Sequence, residues 1–206
     1  MNSAPIFVVD DDPAVRKSLS RLLRAAGREV QAFDSAQAFL DVVPAATMGC
    51  VIVDVAMPGM DGVALQAELA RRATVLGLIF LTGHGDLAMG VNAMKVGAVD
   101  FLTKPVEEAA LLEAVAAAQA RSARAHATAA ERGDILQRID TLTPREREVM
   151  ALVVAGHMNK QIAEVLGTVE KTVKVHRARV MDKMRVRSVA ELARLAERIG
   201  PSGRAG

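Results

Sequence analysis

The chain has 206 residues, 51% of them hydrophobic, and 26 Lys and Arg against 24 Asp and Glu for a net charge of +2. That suits one large domain or two small ones with packed cores, and no apolar run approaches the ~20 residues of a membrane span. No cationic region precedes an apolar block at Met1–Ile6, and Cys50 is the single cysteine, so neither a secretory signal nor an internal disulfide is expected; the expectation is a cytoplasmic protein without a membrane role.

The small net charge conceals an asymmetry. Residues 1–120 carry 9 Lys/Arg and 14 Asp/Glu, a net of −5, whereas residues 121–206 carry 17 and 10, a net of +7. An acidic first half suits a bound cation, and a basic second half suits a polyanion.

In chain order, Ile6–Val9 is an apolar run ending in Asp10, Asp11 and Asp12. Val15, Leu19, Leu22 and Ala26 then recur at helical spacing, with Gly27 as a stop. Glu29–Phe33 predicts a short alternating strand, and Asp34-Ser35 caps a helix through Val43. Cys50–Val53 is a buried strand running into Asp54, stopped by Pro58-Gly59. A helix over about 63–72, an apolar run 76–81 ending in Thr82, and a helix capped by Asp86 with Leu87, Val91 and Met94 come next. A fifth strand over 98–102 leads to Lys104-Pro105, and a helix begins near Glu107.

Strands alternating with helices predict a βαβ architecture with a parallel sheet covered on both faces. In a doubly wound sheet of order 2-1-3-4-5, the residues that end strands converge at the switch point. These are Asp10, Asp11 and Asp12, then Asp54, Thr82 and Lys104. Crowded carboxylates repel one another unless a cation lies between them, and an all-oxygen set suits Mg²⁺. Beside such an ion an aspartate can act as a nucleophile toward a phosphoryl group, whose oxygens a Thr hydroxyl and a Lys can contact.

Val8-Val-Asp-Asp11, Asp54 with Met57-Pro58-Gly59, Thr82-Gly83 and Lys104-Pro105 together resemble the receiver domain of two-component response regulators. Val15–Leu19, Thr82–Asp86 and Ala93–Ala98 resemble its FixJ type. The resemblance implies that Asp54 accepts a phosphoryl group from a sensor histidine kinase. It implies Mg²⁺ held by Asp11 directly, by Asp10 through water, by Asp54 and by the main-chain carbonyl of Ala56. It further implies Thr82 and Lys104 on the phosphoryl oxygens, Thr82 and Phe101 as the switch pair, and a cis Lys104-Pro105 bond. His84 fits a loop residue that shapes phosphoryl lifetime. Ala56 replaces the polar side chain of many relatives, removing one handle on attacking water.

From Glu107 to about Arg138 the chain is Ala-rich without Pro and favours helix, with a break expected at Gly133-Asp134 and a short helix over 135–139; a flexible tether is the competing reading. Thr143, Pro144 and Glu146 form a capping box at a helix start. Val149, Leu152 and Val153 give that helix its stripe, and Asn159 is expected to cap a short helix with Ile162, Val165 and Leu166. After a turn at Gly167, the helix over 170–184 carries Lys171, Lys174, Arg177, Arg179 and Lys183; Val173, His176 or Arg177, Val180 and Met184 are expected inward, leaving the basic positions outward. Ser188 starts the last helix. Short helices around a Gly-containing turn resemble a helix-turn-helix, and a basic helix fits a major groove.

Leu142–Glu146, Asn159–Ala163 and Lys171–His176 resemble the LuxR/NarL-type DNA-binding domain. By that resemblance Lys174 and Val175 meet base edges, and Ala178 stands at the third base-facing position. Lys171, Thr172 and Arg179 bind phosphates, and Asn159 and Lys160 touch the backbone of double-stranded DNA.

The expected architecture is therefore α/β: a (βα)5 doubly wound receiver over 1–120, a helical linker over 121–140, and a small all-α four-helix helix-turn-helix domain over 141–206. The implied function is a transcriptional regulator, with no enzymatic turnover expected, that dimerises on phosphorylation through Val91, Lys95, Val99 and Asp100 and works with RNA polymerase. Two readings from other classes fit less well. A phosphatase of the haloacid-dehalogenase kind needs a second Asp two residues after the nucleophile, where Ala56 stands. A flavin-binding first domain would use a Gly/Ser-rich phosphate loop or a Trp or Tyr to stack on, and the chain has no Trp or Tyr.

Overall fold

The structure is a computed structural model that describes residues 4–83 and 97–200. The chain divides into two units, Met1–Ala127 and Thr128–Gly206.

In the first unit the strands are β1 (Ile6–Val9), β2 (Val30–Phe33), β3 (Cys50–Asp54), β4 (Gly77–Thr82) and β5 (Asp100–Thr103). They form one sheet of order β2-β1-β3-β4-β5, parallel at every pairing. Helices α1 (Pro13–Ala25), α2 (Ala36–Val42), α3 (Gly62–Arg71) and the start of α4 (Glu108–Asp140) cover it. Alternate strand residues point to opposite faces. Ile6, Val8, Cys50, Ile52, Ile79 and Leu81 pack with Leu19, Leu23, Leu111 and Val115 of α1 and α4. Phe7, Val9, Val51, Val53, Leu78 and Phe80 pack with Phe39, Leu40, Leu65 and Leu69 of α2 and α3. With both faces covered, β1, β3 and β4 are buried along their whole length. Cys50 belongs to this core, and burial pushes its thiol up to about 12, which makes it inert as a nucleophile.

Caps fix where the helices begin. Asp12 accepts from Ala14 N ahead of Pro13, Ser35 from Ala38 N, and Asp61 from Ala64 N. Two expectations change. Leu23, one turn beyond Leu19, is fully buried, while Ala26 lies past the helix end and is exposed. At the sheet edge, β2 buries its first and last residues and exposes the two between, so it does not alternate.

The second unit contains the end of α4, α5 (Pro144–Val154), α6 (Asn159–Val165), α7 (Glu170–Lys183) and α8 (Val189–Ile199). Its core joins Ile135 and Ile139 to Val149, Val153, Ile162, Val173, Val180, Met184, Leu192 and Ile199. The expected break at Gly133 is absent, for α4 is one continuous helix over 33 residues. A mid-helix Gly costs only about 1 kcal/mol. Buried Ile135 and Ile139 hold the next turns, since burying one such side chain is worth about 1.5–3 kcal/mol. The capping box of Thr143 and Glu146 forms as expected. Asn159 does not cap α6; Met158 holds that position, and its N–H donates to Gln161 Oε1. Val165, expected inside, is exposed. Among the described residues no helix is long and apolar enough to cross a membrane.

Candidate functional site

Parallel pairing brings the carboxyl ends of β1, β3, β4 and β5 together. Asp10 follows β1 and Asp54 ends β3, both buried, while Asp11 is exposed. Carboxylate oxygens of the three lie within 4.8 Å of one another. Lys104, just after β5, reaches in from the far side of the sequence. Its Nζ is 2.7 Å from Asp10 Oδ2 and 3.0 Å from Asp54 Oδ1. Asp10 Oδ1 accepts from Asp12 N at 2.9 Å.

The backbone around these side chains is tied down. Val55 N donates to Leu81 O at 2.9 Å, Gly62 N to Val55 O at 3.0 Å, and Lys104 N to Thr82 O at 2.7 Å. Thr82 itself is buried at the end of β4. Phe101 stands opposite Phe80 in the β4–β5 register, their ring centroids 6.2 Å apart. The Lys104-Pro105 bond is cis.

Burial raises the Asp54 pKa, and repulsion from Asp10 and Asp11 adds to it, against the opposing pull of Lys104. Burial alone would lower Lys104, but its hydrogen bonds to Asp10 and Asp54 override that and hold it raised. The lysine is therefore firmly cationic, yet its one ammonium pairs with only two of the three clustered carboxylates. An all-oxygen donor set with uncompensated negative charge fits a hard divalent cation.

In the second unit, α7 turns Val173, Val180 and Met184 into the core. Lys171, Lys174, Val175 and Ala178, at i, i+3, i+4 and i+7, are exposed together, with Arg179 beside them and Thr172 half-buried. Lys174 Nζ pairs with Glu170 Oε1 at 3.1 Å. Lys160 is exposed and Asn159 half-buried.

Residues 6–116 match the response regulator receiver domain, and residues 140–196 the luxR family of bacterial regulatory proteins. Nodulation protein W of Bradyrhizobium diazoefficiens is 46% identical over 199 residues, 97% of this chain and 88% of that protein. Transcriptional regulatory protein FixJ of the same organism is 45% identical over 195 residues, 95% of each chain. The solved structure of response regulator StyR, 44% identical, has a TM-score of 0.81 and covers 94% of this chain and 98% of that one. The chain belongs to the FixJ-type response regulators.

This response regulator joins a receiver domain to a LuxR-type helix-turn-helix DNA-binding domain and is a two-component transcriptional regulator. The receiver implies a kinase partner, and the second domain implies binding to DNA. Its fold brings Asp10, Asp11, Asp54 and Lys104 into one cluster. Ala56 is exposed two residues beyond Asp54. Val99 and Asp100 are half-buried, and Asp100 Oδ1 accepts from Phe101 N at 2.8 Å. His84, Asp86, Leu87, Val91, Met94 and Lys95 lie outside the described residues.

One basic residue expected to face outward on α7 does not, and at the inward position open to His176 or Arg177 both are half-buried. Lys183 Nζ bonds Glu146 Oε2 at 2.6 Å, and Arg177 bonds Asn159 Oδ1 at 2.9 Å. Each satisfies a polar group on a neighbouring helix, Glu146 being almost fully buried. Two further residues, neither named as a site residue from the sequence, support the receiver site. Gly62 packs against the Asp54 carbonyl, and Arg16 bonds the backbone of the acidic loop. A Gly directly after an N-cap Asp is a faint signal for the first; the second lies within Val15–Leu19, a stretch whose residue types do not show which backbone Arg16 meets.

Proposed function

We propose that this regulator accepts a phosphoryl group on Asp54 from a sensor histidine kinase, in a Mg²⁺-dependent reaction, and that the modification promotes dimerisation and binding to operator DNA. One observation carries the reading: Asp54 shares a partly buried cluster with two further carboxylates and one ammonium. A carboxylate oxygen of Asp54 attacks phosphorus as the bond to the histidine nitrogen breaks, and the imidazole leaves with the electron pair. Asp11, Asp10 through water, Asp54 and the Ala56 carbonyl would hold Mg²⁺, which when bound supplies positive charge against the repulsion of carboxylates and phosphoryl oxygens. Lys104, already poised 3.0 Å from Asp54, exchanges part of its carboxylate pairing for a phosphoryl oxygen.

Thr82 then donates its hydroxyl to another phosphoryl oxygen, and Phe101 turns inward against Phe80. The surface carrying Val91, Lys95, Val99 and Asp100 becomes the dimer contact. Two copies present two α7 helices to neighbouring half-sites. Lys174, Val175 and Ala178 face base edges, and Lys171, Thr172, Arg179, Asn159 and Lys160 face the backbone; Ala178 lacks a hydrogen-bonding group, so it offers only apolar contact to a thymine methyl. The functional division is a receiver over 1–120, a helical linker over 121–140 and a reading domain over 141–206, with RNA polymerase as the downstream partner and the cytoplasm as the site of action.

Acetyl phosphate with Mg²⁺, followed by intact-mass spectrometry, tests the first step. One phosphoryl adduct is expected on wild type and none on Asp54→Asn; label retained in the variant would overturn the assignment. Gel filtration of the labelled protein tests dimerisation, and an unchanged mass alongside rising operator affinity would remove that step.

A further inference from the structure

We infer that Arg16 is a positioning residue for the receiver site, holding the acidic loop in the conformation that binds the cation. The inference rests on the reading of Asp10, Asp11 and Asp54 as the Mg²⁺ site. Arg16 sits in the first turns of α1, and its NH1 donates to Asp10 O at 2.7 Å and to Asp11 O at 2.9 Å. Those two carbonyls belong to consecutive residues of the loop between β1 and α1. One guanidinium nitrogen thus fixes two successive peptide units.

The neighbouring backbone donors are committed elsewhere. Asp10 N bonds Phe33 O at 3.2 Å, and Asp12 N bonds Asp10 Oδ1 at 2.9 Å. Asp10 is therefore held at its amide, its carbonyl and both carboxylate oxygens, the last by Lys104. Asp11 differs, since its carboxylate is exposed and the bond from Arg16 ties its peptide to α1. Of the three acids, Asp11 depends most on Arg16 for its position.

Charge and geometry make opposite demands here, which makes the inference testable. As a charge alone, a guanidinium on the peptide carbonyls of Asp10 and Asp11 opposes a divalent cation, and removing it would tighten binding. As a positioning device it lowers the cost of gathering the ligands, and removing it loosens binding. Groups that orient metal ligands from outside the coordination sphere commonly matter by about tenfold or more.

The experiment titrates MgCl2 calorimetrically into full-length wild type, Arg16→Met and Arg16→Lys, with thermal unfolding in chelator as a check on folding. Arg16→Met is expected to weaken Mg²⁺ by about tenfold. Arg16→Lys, which keeps a cationic multiple donor at this position, is expected to stay within about threefold of wild type. Acetyl phosphate labelling of Asp54 should slow in the same order. Equal or tighter Mg²⁺ binding by Arg16→Met overturns the role of Arg16 while leaving the site intact. No Mg²⁺ uptake by wild type overturns the reading of the site itself. Should Arg16→Met fail to fold, Arg16→Gln replaces it under the same criteria.

Discussion

The Nζ of Lys104 lies 3.0 Å from Oδ1 of Asp54, a lysine after the last strand of the sheet meeting an acid at the end of the middle one. The same ammonium takes Asp10, so it occupies the charge position that a cation would share. Replacing it, as in Lys104→Met, removes a competitor for the carboxylates. Mg²⁺ binding is expected to tighten by about tenfold, or ~1.4 kcal/mol, while labelling of Asp54 slows because a phosphoryl oxygen loses its partner. Calorimetry and labelling kinetics on one preparation measure both; weaker Mg²⁺ binding would count against the shared position.

Asp54 carries a pH signature. Its pKa is raised above 3.8, chiefly by burial, so folding favours the protonated form. The stability this group contributes is present below 3.8 and is lost as pH rises through the raised folded value. Without Mg²⁺, Asp54→Asn should therefore unfold at a higher temperature than wild type at pH 7, with the gap closing toward pH 3.8. A gap that widens on acidification would reverse the sign.

Gly62 lies against the site from α3. A Cβ there would sit 2.4 Å from Asp54 O and 3.1 Å from both Phe80 Cε1 and Val55 Cα. Backbone cannot yield as a flexible side chain can, so Gly62→Ala should cost about 1–3 kcal/mol in urea unfolding and slow Asp54 labelling. Wild-type behaviour in both assays would mean the turn relaxes freely.

In the second unit, Glu146 accepts from Lys183 and from Thr143 N. Those bonds, Lys183 first, hold its pKa below 4.5. A lowered carboxylate pKa gives stability that is present above 4.5 and lost as pH falls through the folded value. Glu146→Gln is expected to lose about 1–3 kcal/mol near neutrality, discounted because Lys183 is one-third exposed. Urea melts across pH should show the two proteins converging in acid.

Gly133 tests the continuity of α4. Nothing lies within 4 Å of a Cβ added there. Gly133→Ala should then stabilise by about 0.5–1 kcal/mol, whereas Gly133→Pro should cost about 3 kcal/mol and reduce helicity by circular dichroism. Equal tolerance of both would mean the helix is interrupted there in solution.

Local pattern made much of this chain legible. Apolar runs marked β1, β3 and β4, because strands covered on both faces need no polar residue until they end. Thr143, Pro144 and Glu146 marked the start of α5, because a capping box closes within one helical turn. Where pattern misled, a tertiary term exceeded a small local preference. Gly133 reads as a break, yet Ile135 and Ile139 find a core; Asn159 reads as a cap, yet it is the first helical residue, and its side chain accepts from Arg177.

What the amino-acid order determined by itself was the set of elements and the chemistry held at their ends, since periodicity, capping and residue type act over a few positions. Tertiary structure decided which of those groups meet. Lys104 reaches Asp10 across 94 positions, and Lys183 reaches Glu146 across 37. Arg16 folds back on two peptide carbonyls, and Gly62 admits the backbone of Asp54. Contacts of this kind arise when hydrophobic burial brings distant segments together, and only then can an ammonium, a guanidinium or a missing methyl act on its neighbour.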